Sequence, residues 1–339
     1  MSRGKKINQS KTIFQLSDQE LTLLSVEQDA RSKKFFISQF EKIPLAEGII
    51  SRGEILRPEE FIKILSGFAP FIQNKTIDVI LPDELFTFFE KRISGLRDNK
   101  KKNKRAILSA LYTSQESTLQ THVFEFDIDS RETKTGRLVF FFGIPHQIYT
   151  DLSYVFQKAS FELGSIISET LSFRHLMPKE EKETLILVGQ KSTRVADFSA
   201  QFLKKQQNFQ ISYNHLVSDI VQFPHFSQED AEKILQEYGV LRAHLDEKVY
   251  RKLIRSLGPL LDYLSKRKIT KSTTLQLVFT DRPLRGFVDV LFKTLGVPIT
   301  EFHVLYQETF PFQEVLDIHK EDTYLYHAAI AQALRFWRE

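Results

Sequence analysis

Two distant segments of the sequence share one arrangement of apolar and polar residues. Residues 14–27 (FQLSDQELTLLSVE) and residues 185–199 (LILVGQKSTRVADFS) each contain an apolar run, a short polar turn and a second, alternating run. This pattern predicts a strand, a tight turn and a returning strand. Because the same hairpin occurs twice, the sequence indicates a fold built by duplication, with one hairpin opening each half.

In phosphate-binding folds of this kind, the hairpin turn holds a phosphate. It needs an acidic residue for the metal and a glycine for close backbone approach. The second turn keeps Gly189, Ser192 and Thr193, but Leu187 stands where the acid would be. A structural hairpin is the favoured interpretation of this turn, and a phosphate nest is the alternative. We therefore predict a nucleotide-binding architecture that has lost its nucleotide, with those three residues as a vestigial phosphate loop.

The length of the chain indicates more than one domain. It has 339 residues, 42% of them hydrophobic, and no cysteine. We expect two lobes, each with its own core, and neither disulfides nor cysteine-based catalytic or zinc sites. The longest apolar run, residues 138–144, is far shorter than the roughly 18 residues that indicate a membrane span, and no signal-peptide core is seen. We expect a cytoplasmic location.

Basic residues concentrate in two places, although the net charge is only +4. One is the N-terminal segment, residues 1–11, which we predict to be a flexible tail. The other is a cluster that includes Lys100, Lys101 and Lys102. A solvated surface is the favoured interpretation, and peripheral contact with an anionic membrane face, at roughly 1 kcal/mol per basic residue, is the alternative. Nucleic acid is not expected, because no aromatic residues interleave the cluster.

The order of predicted elements indicates an α/β fold. Three strands, a helix opened by Pro58 and a strand at Thr76–Leu81 are typical of an actin-like, ribonuclease-H-like lobe. A small α+β subdomain, residues 83–161, follows as an insertion. We predict a helix at Asp83–Ile93 and a polar turn at Ile128–Gly136 within it. The first lobe then comprises residues 12–82 and 162–182, and residues 183–339 form the second lobe, which includes a strand at Phe209–Tyr213.

Motifs for other chemistry are missing. The segment Gly48–Gly53 has the spacing of a P-loop, but Glu54 and Ile55 replace the lysine and hydroxyl residue. The sequence contains no H-E-x-x-H and no G-x-S-x-G motif. Asp127 and Asp129 alternate near a strand end, where a solvated hairpin is favoured over a metal site. We predict no catalytic residue and no metal site.

Five local sequences stand out by their order and spacing: residues 43–58 (IPLAEGIISRGEILRP), 76–82 (TIDVILP), 138–144 (LVFFFGI), 226–238 (FSQEDAEKILQEY) and 295–299 (LGVPI). Together they resemble the PilM family of type IV pilus assembly proteins, relatives of FtsA in the actin-like ATPase superfamily. The similarity runs from about Thr12 to Phe336. It implies a duplicated two-lobe actin-like fold with an inserted subdomain.

Three departures from the family concern nucleotide. The Asp-x-Gly of the first hairpin corresponds to residues 17–19 (SDQ), and that of the second to residues 187–189 (LVG). The glycine-rich adenosine loop corresponds to residues 279–282 (FTDR), whose bulky side chains take the room of an adenine ring. We expect no cofactor and a pseudo-ATPase rather than an enzyme. ATP with magnesium is the disfavoured alternative, in which nucleotide would gate partner binding.

The resemblance also implies a partner. Members of the family receive the N-terminal cytoplasmic peptide of a single-pass inner-membrane pilus protein in a groove beside the inserted subdomain. The function expected from this resemblance is that of a cytoplasmic scaffold at the inner membrane. The scaffold would link the inner-membrane pilus protein to other pilus machinery, or act in a related secretion or uptake system. A nucleic-acid enzyme of the ribonuclease-H type would need clustered carboxylates, which are not found. Candidate groove residues are Leu138, Phe140, Phe142, Ile148, Leu152 and Phe156.

Overall fold

The structure is a computed structural model. It describes residues 7–29, 34–96, 100–112, 121–133, 135–177, 182–189, 191–199, 201–267, 274–280, 282–301 and 327–338. The chain forms two compact units, one of residues 1–31 and 37–172 and one of residues 32–36 and 173–339. The first unit thus ends at Ser172, whereas the first lobe was predicted to continue to residue 182.

Unit 1 is built on a five-stranded sheet in which both predicted halves of the first hairpin are present. β1 is antiparallel to β2, with Ile13 opposite Leu24, and parallel to β6, with Ile13 beside Asp78. The strand order is β10-β6-β1-β2-β3. The strands are β1 (Ile7–Leu16), β2 (Glu20–Asp29), β3 (Phe35–Pro44), β6 (Thr76–Leu81) and β10 (Glu162–Ser168), with a small hairpin of β4 (Ile50–Ser51) and β5 (Glu54–Ile55).

Two helices cover one face of this sheet, α1 (Pro58–Phe68) and α3 (His146–Lys158). Phe14, Phe61 and Phe156 are fully buried between the helices and the sheet. The predicted tail is corrected here, because β1 already begins at Ile7 and pairs with the end of β2. Residues 7–11 were assigned to the tail because of their polar composition, but their backbone pairs with the neighbouring strand β2 and so forms part of the sheet.

The inserted subdomain is a three-stranded antiparallel sheet, order β7-β9-β8, with one helix. Its apolar core includes Ile107, Leu111, Val139 and Phe141. Lys91 from the sheet donates a hydrogen bond of 2.8 Å to the carbonyl of Ala110, near the C-terminus of the helix. The elements are β7 (Thr87–Ile93), α2 (Lys100–Tyr112), β8 (His122–Thr133) and β9 (Gly136–Pro145).

Two predictions in this subdomain are wrong. The helix expected at Asp83–Ile93 is a short 3-10 turn, Asp83–Leu85, followed by strand β7. Phe89 of β7 stacks on Phe141 of β9 with ring centroids 4.8 Å apart, and such cross-strand aromatic pairs stabilise strand over helix. The turn expected at Ile128–Gly136 is also mostly strand, because β8 continues to Thr133 and pairs there with Gly136.

Unit 2 repeats the topology of unit 1. Its sheet, read from β15, has the order β15-β14-β11-β12-β13. These five strands correspond in turn to β10, β6, β1, β2 and β3 of the first sheet. The second predicted hairpin is confirmed as β11 and β12, with Leu185 opposite Ala196. The strand expected at Phe209–Tyr213 lies earlier, because Ser212 caps a helix there. The strands are β11 (Lys182–Val188), β12 (Thr193–Ser199), β13 (Phe202–Phe209), β14 (Thr274–Phe279) and β15 (Ile299–Glu301).

Helices pack on this second sheet, and their ends carry the signals visible in the sequence. Ser227 and Asp230 form a reciprocal capping box, with hydrogen bonds of 3.1 and 3.0 Å. The Ser227 side chain and backbone N–H hold the pKa of the Asp230 carboxyl below its ordinary value. The helices of unit 2 are α5 (Tyr213–Val221), α6 (Gln228–Glu237), α7 (Glu247–Ser265), α8 (Phe287–Leu295) and α9 (His327–Arg338), and the short helix α4 (Glu169–Ser172) belongs to unit 1.

Candidate functional site

Unit 1 contains a pocket of about 580 Å³ beside the inserted subdomain. Aromatic and aliphatic side chains dominate its lining, and Lys104 and Glu125 supply one charge of each sign. The lining residues are Phe86, Lys104, Val123, Phe124, Glu125, Phe126, Phe142, Gly143, Ile144, Tyr149, Gly164 and Ile166.

The pocket lies between the edges of two sheets. Four consecutive residues of β8, residues 123–126, line it, although their side chains alternate between the two faces of the strand. Lining by consecutive residues means that the strand's edge, and not one face, borders the pocket. Among the strands of the described residues, β8 is an outer strand of the inserted sheet, and β10, which contributes Gly164 and Ile166, is an outer strand of the main sheet. Both outer strands border this pocket.

Three of the predicted groove residues lie on β9. Phe142 lines the pocket, whereas Leu138 and Phe140, on the same face of the strand but further along it, do not. Phe140 and Phe142 are both largely buried, at 8% and 7% exposure. The apolar strand therefore contributes its end to the pocket, together with the adjacent Gly143 and Ile144.

The other three predicted groove residues lie in the core of unit 1. Ile148, Leu152 and Phe156 lie on the face of α3 that packs against the main sheet, and none lines the pocket. Their helical spacing was the signal for this buried face. The residue of α3 that does line the pocket is Tyr149, which is 41% exposed and was missed because it falls outside the apolar stripe.

The turn of the first hairpin uses its polar groups internally. Ser17 Oγ accepts hydrogen bonds from the N–H groups of Gln19, at 3.3 Å, and Glu20, at 3.1 Å. The Asp18 carboxylate accepts the N–H of Gly53 at 3.4 Å. Backbone N–H groups that would face a phosphate are thus directed at a side chain of the same turn.

The turn of the second hairpin is similarly closed. Gly189 donates its N–H to the carbonyl of Ser192 at 3.0 Å, and its own carbonyl accepts from Tyr213. Ser192 is 8% exposed, and Thr193 and Leu187 are almost fully buried. A Cβ at position 189 would lie 3.2 Å from Thr280 Oγ1, so close packing favours glycine at this position. Two residues of the predicted vestigial loop, Gly189 and Ser192, are thus joined by a backbone hydrogen bond, and Thr193 follows at the start of β12.

In the segment that corresponds to an adenosine loop, residues 279–282, Phe279 was expected to occupy the space of an adenine ring. Phe279 does not fill a loop, because its side chain is buried in the core of unit 2, and its carbonyl accepts a hydrogen bond of 2.9 Å from His327 Nδ1. Arg282 lies over the ring of Tyr213, with its guanidinium carbon 5.5 Å from the centroid, and pairs with Glu232 at 3.9 Å. Asp281 lies outside the described residues.

Neither a metal-binding cluster nor a membrane-spanning helix occurs among the described residues. No group of three or more His, Asp or Glu side chains able to hold a metal ion occurs within them. No helix in the same part of the chain has the length and apolar character needed to cross a bilayer. Lys100, Lys101 and Lys102 lie in the first turn of α2, and their side chains are outside the described part of the structure.

Comparison with known proteins identifies the fold. No family model and no curated protein sequence matches the chain. Among solved structures, it is similar to a PilM-PilN type IV pilus biogenesis complex, with a TM-score of 0.72 at 12% identity, over 96% of this chain and 98% of the other.

Two further structures share the fold at a greater distance. MreB 5 of Spiroplasma citri bound to AMPPNP has a TM-score of 0.52 at 10% identity and covers 96% of both chains. The ethanolamine utilization protein EutJ from Carboxydothermus hydrogenoformans has a TM-score of 0.51 at 10% identity, over 97% of this chain and 92% of its own. The predicted α/β fold of the actin-like class is confirmed, and the resemblance to PilM holds at the level of the fold.

Proposed function

We propose that the protein is an actin-like scaffold of type IV pilus assembly, or of a related secretion or uptake machine. In this role it binds the N-terminal cytoplasmic peptide of a single-pass inner-membrane pilus protein. The observation that carries the proposal is the pocket of about 580 Å³ along the edge of β8. The fold likeness to the structure of a PilM-PilN complex supports the choice of partner.

The chemistry of the pocket suits an extended peptide. The edge of an outer strand offers main-chain hydrogen bonds, and an apolar lining offers sites for alternate side chains. The four lining residues of β8 span roughly 13 Å at about 3.4 Å per residue, which accommodates about four residues of an extended peptide. Phe124 and Tyr149 supply aromatic surface for apolar anchors, while Lys104 and Glu125 select polar neighbours.

Peptide binding would place the protein at the cytoplasmic side of the inner membrane. The first turn of α2 adds Lys100, Lys101 and Lys102 to this arrangement. Basic residues near an anionic leaflet contribute roughly 1 kcal/mol each. We propose that this turn reinforces the contact that the partner makes, as a peripheral and electrostatic interaction.

The scaffold role includes loss of ATP hydrolysis. Support comes from the two hairpin turns, whose N–H groups are directed at Ser17 Oγ and at the Ser192 carbonyl, and from Leu187 in place of an acid. The alternative is a nucleotide-gated adaptor. It is favoured by the retained Gly189, Ser192 and Thr193 and by the likeness to an AMPPNP-bound protein of this fold.

A thermal-shift titration with magnesium and ATP separates these alternatives. A ligand at about 100 times its Kd stabilises a protein by about 2.7 kcal/mol, which moves the unfolding midpoint by several degrees. We expect no saturable shift, and a saturable one would support the nucleotide-gated adaptor. The scaffold itself is tested by calorimetric titration with the synthetic N-terminal segment of the inner-membrane pilus protein from the same organism. Absence of binding would contradict it.

A further inference from the structure

Strand β10 does not pair regularly with β6 where it borders the pocket. Leu163 pairs with Ile77 and Ile166 pairs with Val79, so that two residues of β10 stand opposite the single residue Asp78. Two residues against one define a β-bulge, a feature that is rare between parallel strands. The bulged residues are residues 164–165.

The carboxylate of Asp78 holds this bulge. Its Oδ1 accepts the backbone N–H of Ser165 at 3.0 Å. The same oxygen lies 2.9 Å from the ammonium nitrogen of Lys11, and the Asp78 and Lys11 side chains are only 6% and 12% exposed. A side-chain acceptor on β6 thus takes the place of a main-chain acceptor in the ladder, and a buried ion pair fixes the position of that acceptor.

Gly164 is needed for the same contact. A Cβ at this position would lie 2.6 Å from Asp78 Oδ1 and 3.0 Å from the carbonyl oxygen of Ile77. No side chain fits there while Asp78 keeps its place. Gly164 itself is exposed and lines the pocket, as does Ile166 immediately after the bulge. The wall opposite β8 is therefore shaped by a buried carboxylate that does not line the pocket.

We propose that Asp78 is a positioning residue for the pocket and that the bulge it holds excludes β10 from pairing with a peptide, which adds to β8 alone. The inference rests on the proposed function. A bulge interrupts the row of N–H and C=O groups that a new strand requires, and proteins use bulges to block pairing at sheet edges. The edge of β8 is continuous over residues 123–126, where each residue pairs with β9 in an unshifted register.

Three variants test the inference. Asp78→Ala removes the acceptor of the Ser165 N–H, whereas Asp78→Asn keeps an oxygen at Oδ1 and loses only the charge. Asp219→Ala is the matched control, because Asp219 is equally buried and pairs with Lys252 at 3.1 Å, but belongs to unit 2. Two properties are measured for each variant. They are hydrogen exchange of the fragment that covers β10, and the Kd for the synthetic N-terminal segment of the inner-membrane pilus protein.

Asp78→Ala is expected to speed exchange at the bulge and to raise the Kd, each by about tenfold, the size of a lost hydrogen bond to a charged group. Asp78→Asn and Asp219→Ala are expected to lower the unfolding midpoint but to leave both properties within about threefold of wild type. In the wild-type complex, the peptide should slow exchange in β8 and not in β10.

Each failure has its own meaning. Unchanged exchange in Asp78→Ala, or a Kd no higher than that of the Asp219→Ala control, would overturn the positioning role while the proposed function stands. Protection of β10 by the peptide would overturn the statement about pairing. A wild-type protein that binds no peptide would fail the proposed function, and this result is seen before any variant is made.

Discussion

Two residues of α3 should separate peptide binding from stability. Leu152 is 1% exposed in the core of unit 1, and Tyr149, three residues earlier, is 41% exposed and lines the pocket. Replacing each by alanine tests whether the pocket or the apolar stripe of the helix receives the peptide. The two changes lie on one helix, so each serves as the control for the other.

The structure sets the size of both effects. Covering the exposed share of Tyr149 buries about 80 Å², worth about 2 kcal/mol, so Tyr149→Ala should raise the peptide Kd by up to about 30-fold. A buried Leu→Ala change costs about 2–5 kcal/mol. For a unit of this size, a loss of about 3 kcal/mol lowers the midpoint of unfolding by roughly 6–12 °C.

The assay is calorimetric titration of each variant with the synthetic N-terminal segment of the inner-membrane pilus protein, well below both midpoints, together with thermal unfolding. Tyr149→Ala should lose affinity and keep its midpoint, and Leu152→Ala should do the reverse. If Leu152→Ala loses as much affinity as Tyr149→Ala while still folded, the assignment of Leu152 to the core and of Tyr149 to the pocket is refuted.

Four more predictions concern other residues. Gly143→Ala places a Cβ 2.4 Å from the ring of Phe124 and should cost about 1–3 kcal/mol and weaken peptide binding. Gly67→Ala, in open space on α1, should instead stabilise by about 0.5 kcal/mol in denaturant unfolding. Changing Lys100, Lys101 and Lys102 to Glu should abolish sedimentation with anionic vesicles, and unchanged sedimentation would exclude the membrane contact. Ser227→Ala should return the Asp230 pKa to its ordinary value in an NMR titration. The stability that this capping box contributes is present above the unfolded-state pKa of Asp230 and is lost as pH falls through its lowered folded-state pKa. If the Asp230 pKa is the same in Ser227→Ala as in wild type, the capping assignment is contradicted.

The duplicated sheets could be predicted from the sequence because their signals are local. A hairpin needs only two alternating runs and a turn, and residues 14–27 and 185–199 show both. The start of a helix could also be predicted from the sequence where a capping residue marks it, as at Ser227. Errors arose where partners distant in sequence decide the structure. β7 is a strand because β9 pairs with it, and the apolar pattern of Asp83–Ile93 alone did not distinguish strand from helix.

The pocket could be predicted only in part. The resemblance to PilM implied a groove beside the inserted subdomain, and Phe142, one of its six predicted residues, lines the pocket there. The remaining lining comes from separate segments, among them Phe86, residues 123–126 and Tyr149, which meet only in the folded unit. Hydrophobic periodicity identifies buried faces, and Leu152, chosen by this signal, lies in the core of unit 1. A strand edge has no comparable signal, because main-chain groups are the same in every residue.

The central claim is that the pocket along β8 receives the N-terminal cytoplasmic peptide of an inner-membrane pilus protein. Its most direct test is photocrosslinking in cells, with a photoreactive amino acid at Phe124 and, as a control, at Phe71, which is 71% exposed and does not line the pocket. We expect position 124 to form an adduct with the partner. Mass spectrometry should then place the crosslinked residue of the partner in that N-terminal segment. Adducts that form equally from position 71, or that map to any other part of the partner, would contradict it.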